Sequence, residues 1–261
     1  MNKEYGICRV SLAPMRSLPD HSSEQVSQLL FGEHYTVEEF SADGAWLKII
    51  AGYDKYEGWI QKKQHHLITV EYFEQLVNSD YKICTDVFSS ILFNKNRLNI
   101  LIGSILPITV NEIFKMEEQF AFNGESKSLN QRMDTEFVRQ ISLKYLNAPY
   151  LWGGKSPFGI DCSGFTQMVF RISGYLIPRE STQQAEHGEL VKDEAKAKCG
   201  NLAFFTDDQN KIDHVGIILS DGIIIHASGY VRIDKLTDEG IINSETGALT
   251  HRMHSIRSIL I

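Results

Sequence analysis

Residues 148–174 read APYLWGGKSPFGIDCSGFTQMVFRISG, and this stretch decides the fold. Its first half is rich in Gly and Pro and reads as loop. The second half changes period. Phe165, Met168, Val169 and Ile172 stand at i, i+3, i+4 and i+7, the spacing of one helix face, and Gly174 is placed as a C-terminal stop. Asp161 is positioned as the N-cap, which puts Cys162 in the first helical turn. Unpaired N–H groups and the positive end of the helix dipole favour a thiolate there. Asp161 works against this by repelling negative charge, so the helix alone does not make a nucleophile and a His partner is needed. Without one, Cys162 reads as a buried, inert thiol and Asp161 as an ordinary cap.

Downstream, three apolar runs read as strands: NLAFF (201–205), HVGIIL (214–219) and IIIHAS (223–228). They supply His214 and His226, separated by the turn signal Ser220-Asp221-Gly222. The register of that turn decides whether the two rings can meet. A two-residue loop at Asp221-Gly222 sets Ser220 against Ile223 and sends the histidines to opposite faces. A three-residue loop sets His226 opposite Gly216, a same-face diagonal neighbour of His214. A Cys–His–polar relay requires the second register, or a bulge that restores it. In that arrangement His214 is the base and His226 its orienter, with Gly216 leaving room beside the rings. Taken singly, each histidine also reads as a satisfied core or edge residue. A helix bearing Cys followed by an antiparallel sheet bearing His is an α+β layout. Upstream, Phe137, Ile141 and Tyr145 lie four apart, giving a helix that Pro149 helps to end.

The front of the chain is different. Residues 1–66 look all-β, with HYTVEEF (34–40) and AWLKII (45–50) as strands and Trp46 and Trp59 as aromatic bulk for a small barrel. Residues 67–79 place Val70, Phe73, Leu76 and Val77 at helical spacing and read as a connector helix. Residues 80–125 return to strand-like runs: YKICTDVF (81–88), LNILIGSILPITV (98–110) and EQFAF (118–122). Residues 126–132 are polar apart from Leu129 and read as a linker. The domain from 133 to 261 carries the chemistry.

The 261 residues carry 26 Lys plus Arg against 33 Asp plus Glu, a net charge of −7. That balance lacks the basic footprint of a nucleic-acid binder and argues against attraction to anionic lipid. Apolar content is 43% and charged content 23%, which excludes a disordered tail or a collagen-like chain. The four cysteines (8, 84, 162 and 199) form neither a disulfide framework nor a zinc cluster, and Cys199 reads as structural. The N-terminus MNKEYGICRV has no apolar stretch of the signal-peptide kind, so a cytoplasmic protein is expected. No protein partner is implied.

DCSGF (161–165), DHVGI (213–217) and IHAS (225–228), with PYLWGG (149–154) upstream and PRESTQQA (178–185) between, resemble the NlpC-type papain-like cysteine peptidases. The resemblance covers most of residues 133–228. It implies a papain-like domain, Cys162 as nucleophile, His214 as base and His226 as orienter. Tyr150 would line the site and help the backbone N–H of Cys162 to hold an oxyanion. Trp152 is read as core packing. The implied substrate is a murein stem peptide cut at the γ-D-glutamyl bond to a diamino acid, with no metal or cofactor required.

RSLPDHSSEQVSQLLFGE (16–33) and YDKYEGWI (53–60) are similar to the first of two SH3-like barrels in a subgroup acting on free peptides with an N-terminal L-Ala. There the barrel walls off one end of the cleft. By that resemblance Glu24, Tyr56 and Asp161, with Ser163 and Ser181 nearby, hold the substrate ammonium, whose charge would offset that of Asp161. Tyr53 is an alternative to Tyr56. Two positions depart from the family: Asn201, where an acidic residue is usual, and Glu180, where Asp is commoner. An acyltransferase or amidase on the same scaffold and a non-catalytic wall-binding module are the rival readings. The sequence does not decide between diaminopimelate and lysine.

Overall fold

A computed structural model describes residues 3–106, 120–192 and 197–260. The chain divides into two compact units, residues 1–131 and 132–261.

In the first unit the short apolar runs pair as antiparallel strands: β1 (Glu4–Cys8), β2 (Leu12–Arg16), β3 (Gln25–Leu30), β4 (His34–Phe40), β5 (Trp46–Ala51), β6 (Glu57–Gln61) and β7 (His65–Ile68). They form one sheet in the order β3-β2-β6-β5-β4-β1-β7. Alternate residues such as Leu47, Ile49 and Ala51 of β5 fill its core, and Trp46 and Trp59 are buried. Helix α1 (Val70–Asn78) is capped by the Thr69 hydroxyl, which accepts from the Tyr72 N–H. Only part of its expected apolar face is used. Leu76 is buried and the Phe73 ring lies 4.2 Å from that of Tyr5, but Val70 and Val77 are exposed. Helical spacing marks a possible face without saying how much of it a neighbour covers.

Strands β8 (Lys82–Cys84), β9 (Phe88–Phe93), β10 (Asn96–Leu101), β11 (Ile105–Leu106), β12 (Phe120–Phe122) and β13 (Ser126–Ser128) make two three-stranded sheets, β10-β9-β12 and β11-β8-β13. Residues 107–110 and 118–119 of the expected strand runs lie outside the described residues. The expected linker at 126–132 is corrected. Ser126–Ser128 pairs with Lys82–Cys84, and the Asp80 carboxylate accepts from the Ser128 hydroxyl and the Asn130 N–H. A polar stretch can be an edge strand, because the pairing uses backbone and not side chains. The two β regions also share a core. Phe31, at the end of β3, clusters with Cys84, Ile91, Ile100 and Leu106, and the Ile105 N–H donates to the Phe31 carbonyl at 2.8 Å.

The second unit begins with α2 (Thr135–Leu143), capped by Asp134 and burying Val138 and Ile141. It ends before Pro149 has any part in it: i→i−3 bonds at Lys144, Tyr145 and Leu146 tighten the last turn, and Asn147 takes φ +67. A short hairpin of β14 (Lys155–Ser156) and β15 (Gly159–Ile160) leads into α3 (Cys162–Ile172), and α4 (Ser181–Gln184) follows. The stop at Gly174 takes the expected form. Its φ is +88, and Gly174 and Tyr175 donate back to Arg171 and Phe170.

Strands β16 (Glu189–Leu190), β17 (Leu202–Thr206), β18 (Ile212–Ser220), β19 (Ile223–Ser228), β20 (Tyr230–Thr237), β21 (Gly240–Ile242) and β22 (Leu249–Ser258) form a sheet in the order β16-β22-β17-β18-β19-β20-β21. A further β21–β22 pairing closes six of them on themselves. Ala203, Phe205, Ile218, Ile224, Ile241 and Ile256 form one apolar cluster on this sheet, and α3 packs against β18 and β19. The fold class is thus α+β: a Cys-bearing helix on an antiparallel sheet, preceded by small all-β modules.

Candidate active site

Three elements bring the reactive groups together. The first is the N-terminus of α3. The Asp161 Oδ1 accepts from the Gly164 N–H at 2.6 Å, which fixes the helix start and holds Cys162 in the first turn. Gly164 has to be glycine, because a Cβ there would run into the Gly154 carbonyl oxygen. The glycines of the PYLWGG and DCSGF runs therefore share one close approach of loop to helix.

The second element is β18. The Cys162 Sγ lies 3.9 Å from the Asp213 carbonyl oxygen and also takes a hydrogen bond from the backbone of Val215. These residues flank His214, so the sulfur rests on the main chain that carries the imidazole.

The third is the β18–β19 turn. Ser220 pairs with Ile223, which makes Asp221-Gly222 a two-residue loop with Gly222 at φ +66. Alone, that register would separate the histidines. A bulge at Leu219 shifts the pairing, so that Ile218 faces Ile224 and Gly216 faces His226. The restored register places the His214 Nε2 2.8 Å from the His226 Nδ1. A Cβ on Gly216 would stand 2.9 Å from the His226 Cβ, so the glycine makes the room that the relay needs.

Burial governs the electrostatics. It pushes the Cys162 thiol up to about 12, with the negative charge of Asp161 adding to the rise. Burial also holds His214 well below its usual value, with His251 and His226 adding, and His226 is lowered to about 4. A lone thiolate is therefore strongly disfavoured. The nucleophile forms by passing its proton to an imidazole as the reaction proceeds.

Four residues that sequence reasoning did not assign complete the site. His226 Nε2 lies 3.0 Å from the Asp234 Oδ2, and Arg232 binds the same carboxylate through Nε (2.7 Å) and Nη2 (3.1 Å). The His251 ring stacks on His214 at 4.1 Å and 26°. Arg179, buried, donates to the Asp161 Oδ2 at 2.5 Å and to the Ser163 hydroxyl at 2.8 Å. Arg179 had a signal, an arginine inside the quoted PRES run. The other three lie on strands the sequence did not reveal.

This corrects one expectation. The charge of Asp161 is already offset inside the protein by Arg179, and its oxygens also accept from the Gly153 and Gly164 N–H groups. A carboxylate has about four acceptor positions, so few are left for a substrate amine. Trp152 is also corrected. It is 60% exposed and does not pack in the core, because its loop turns it outward. Cys199 is half-buried, with Sγ 3.9 Å from the Thr135 carbonyl. Tyr150 is 36% exposed, and its phenol is raised by burial first, with the Cys162 and Asp161 charges adding to the rise. Asn201 closes the turn before β17 by accepting from the Lys198 N–H, and Glu180 begins α4 without a side-chain cap. Ser181 opens α4, half-buried. In the first unit Glu24 is exposed beside β3, while Tyr56 packs on the sheet core and Tyr53 lies edge-on to His34 at 4.9 Å.

The ring nitrogens of His214, His226 and His251 lie within 4.8 Å of one another. They do not converge as metal ligands. His214 and His226 are bonded to each other, His226 also to Asp234, and His251 is stacked face to face with His214. Zinc ligands need lone pairs aimed at one point about 2.0–2.1 Å from each nitrogen.

Comparison with known proteins agrees with this geometry. Residues 147–250 match the model of the NlpC/P60 family, and residues 15–64 match that of the bacterial dipeptidyl-peptidase Sh3 domain. A γ-D-glutamyl-L-lysine dipeptidyl-peptidase of Bacillus subtilis (strain 168) is 30% identical over 221 residues, covering 77% of this chain and 71% of that protein. The chain belongs to the NlpC/P60 family. Dipeptidyl-peptidase 6 of Lysinibacillus sphaericus is 28% identical, with 83% and 85% of the two chains covered. The crystal structure of an NlpC/P60 family protein from Bacillus cereus ATCC 10987 superposes with a TM-score of 0.82 at 22% identity, covering 98% of this chain and 100% of that one. The protein is thus a cysteine peptidase of the NlpC/P60 family with an SH3-like module ahead of its papain-like domain.

Proposed function

We propose that this peptidase hydrolyses the γ-D-glutamyl bond to a diamino acid in free murein peptides with an N-terminal L-Ala, releasing L-Ala-γ-D-Glu for recycling. The observation that carries the chemistry is the 2.8 Å contact of His214 with His226, beside a sulfur seated on the backbone that bears His214. Cys162 attacks the γ-carbonyl while His214 takes its proton. His214, oriented by His226, then gives that proton to the leaving amine, and water frees the acyl-enzyme. The first-turn N–H of Cys162 and the Tyr150 hydroxyl are the oxyanion donors. The two relatives named for dipeptidyl-peptidase activity and the matched Sh3 module support the substrate class. Glu24 and Tyr56, both within the matched module, are the groups proposed to bind the amine, and Ser163 and Ser181 are proposed as further substrate-binding residues. Asp161 then serves the amine only through its Arg179-bound carboxylate.

The test is release of L-Ala-γ-D-Glu from L-Ala-γ-D-Glu-L-Lys and from the diaminopimelate peptide, read by mass spectrometry. Cys162→Ala should abolish release, and N-acetylation of the substrate should suppress it strongly. Turnover by Cys162→Ala, or equal turnover of the acetylated peptide, contradicts the proposal. Adding hydroxylamine separates hydrolysis from acyl transfer by the product formed. Subcellular fractionation tests the cytoplasmic location that goes with a recycling role.

A further inference from the structure

The geometry points to Asp234 as a positioning residue that fixes where the protons of His226 and His214 sit, and so leaves Nδ1 of His214 as the atom that takes the Cys162 proton. The inference rests on the proposed roles of Cys162 and His214.

Asp234 is 2% exposed, and its partners are all donors: Arg232 through Nε and Nη2, the Ser244 N–H at 2.8 Å, and the His226 Nε2 at 3.0 Å. Strand alternation puts Arg232 and Asp234 on one face of β20, with Arg232 opposite His226 and Asp234 opposite Ile224. Burial pulls the Asp234 carboxyl up, but Arg232, the Ser244 N–H and His226 outweigh it and hold it at about 2. It is therefore an ionised group that can only accept.

The rest follows as a chain. His226 must carry its proton on Nε2 to donate to Asp234. A neutral ring has one N–H, so the His226 Nδ1 is a lone pair and accepts from the His214 Nε2. His214, neutral as well, then has its proton on Nε2 and its lone pair on Nδ1. Nδ1 is the ring nitrogen nearer the main chain, and the Cys162 sulfur rests on the main chain of residues 213–215. Remove the ionised carboxylate and His226 is free to carry its proton on Nδ1. It would then donate to the His214 Nε2 and drive the His214 proton onto Nδ1, where it blocks the base.

The decisive measurement is ¹⁵N NMR of the imidazoles in the unliganded wild-type protein near neutral pH, with Nδ1 and Nε2 assigned by their couplings to the ring protons. Both His214 and His226 should appear as the Nε2–H tautomer. His214 as the Nδ1–H tautomer overturns the inference, and this readout needs neither a substrate nor a variant. Its failure is thus distinct from failure of the proposed substrate. In the second arm, Asp234→Asn should lower kcat on the tripeptide by about 100-fold or more with KM changed less than threefold, because the lost tautomer control acts on the base and not on binding. Folded Asp234→Asn protein with wild-type kcat overturns the inference.

Discussion

Replacing Arg179 by Met removes the counter-charge of Asp161 and leaves that carboxylate buried. Both groups are almost wholly shielded, and the guanidinium Nη2 lies 2.5 Å from the Asp161 Oδ2. Breaking a buried ion pair by removing one partner costs about 3–5 kcal/mol. The Gly153 and Gly164 N–H groups still bond Asp161, so the lower end of that range is expected. At about 3 °C per kcal/mol for a unit of this size, the melting temperature of the C-terminal unit should fall by about 10 °C. Activity should fall further than stability, because the same carboxylate caps the helix that presents Cys162. The assay is a double-mutant cycle in urea. Arg179→Met, Asp161→Asn and the double variant are unfolded in parallel, with Asn chosen because it still caps a helix. The double variant should be more stable than the sum of the singles by about 2 kcal/mol, since it holds no uncompensated charge. A cost below about 1 kcal/mol for Arg179→Met, or strict additivity, would refute the buried-pair account.

Stability should depend on pH in a defined window. His226 is lowered from its usual 6.5 to about 4, so between these values the unfolded chain binds a proton that the folded one rejects. Stability is complete above pH 6.5 and falls as pH drops towards 4; a urea midpoint that stays flat over that range contradicts the burial argument. Gly216→Ala should press on the His226 Cβ and on Ile224, lowering kcat about tenfold or more at a stability cost of about 1–3 kcal/mol. Steady-state kinetics with a parallel melt checks it, and wild-type kcat would mean that the relay tolerates the shift.

How much of this was legible in the sequence follows from which signals are local. The α3 helix, its Asp161 cap and its Gly174 stop are written within a few residues of each other, and each took the form expected of it. The β18–β19 pair was legible as two alternatives, and the deciding bulge at Leu219 has no composition of its own. β22 was not legible. Its run LTHRMHSIRS has no apolar alternation: Ile256 is buried and Met253 packs beside the same cluster, but pairing with β17 and β21 holds the rest of the strand. With β20 and β22 unseen, Arg232 and Asp234 could not be placed beside His226, although Asp234 stands only eight residues on, nor His251 beside His214. The role of Arg179 was hidden for a different reason. A cap and its counter-ion meet only in three dimensions, so Asp161 read as a charge awaiting a substrate.

The central claim is that Cys162 becomes a nucleophile by giving its proton to His214. Burial holds the sulfur as a thiol, pushed up to about 12, unless an imidazole can receive that proton. Alkylation of Cys162 by iodoacetamide at neutral pH, followed site by site by peptide mass spectrometry, tests it most directly. The wild-type protein should be modified at Cys162 at least 100-fold faster than folded His214→Gln protein. Equal rates in the two proteins would contradict the account.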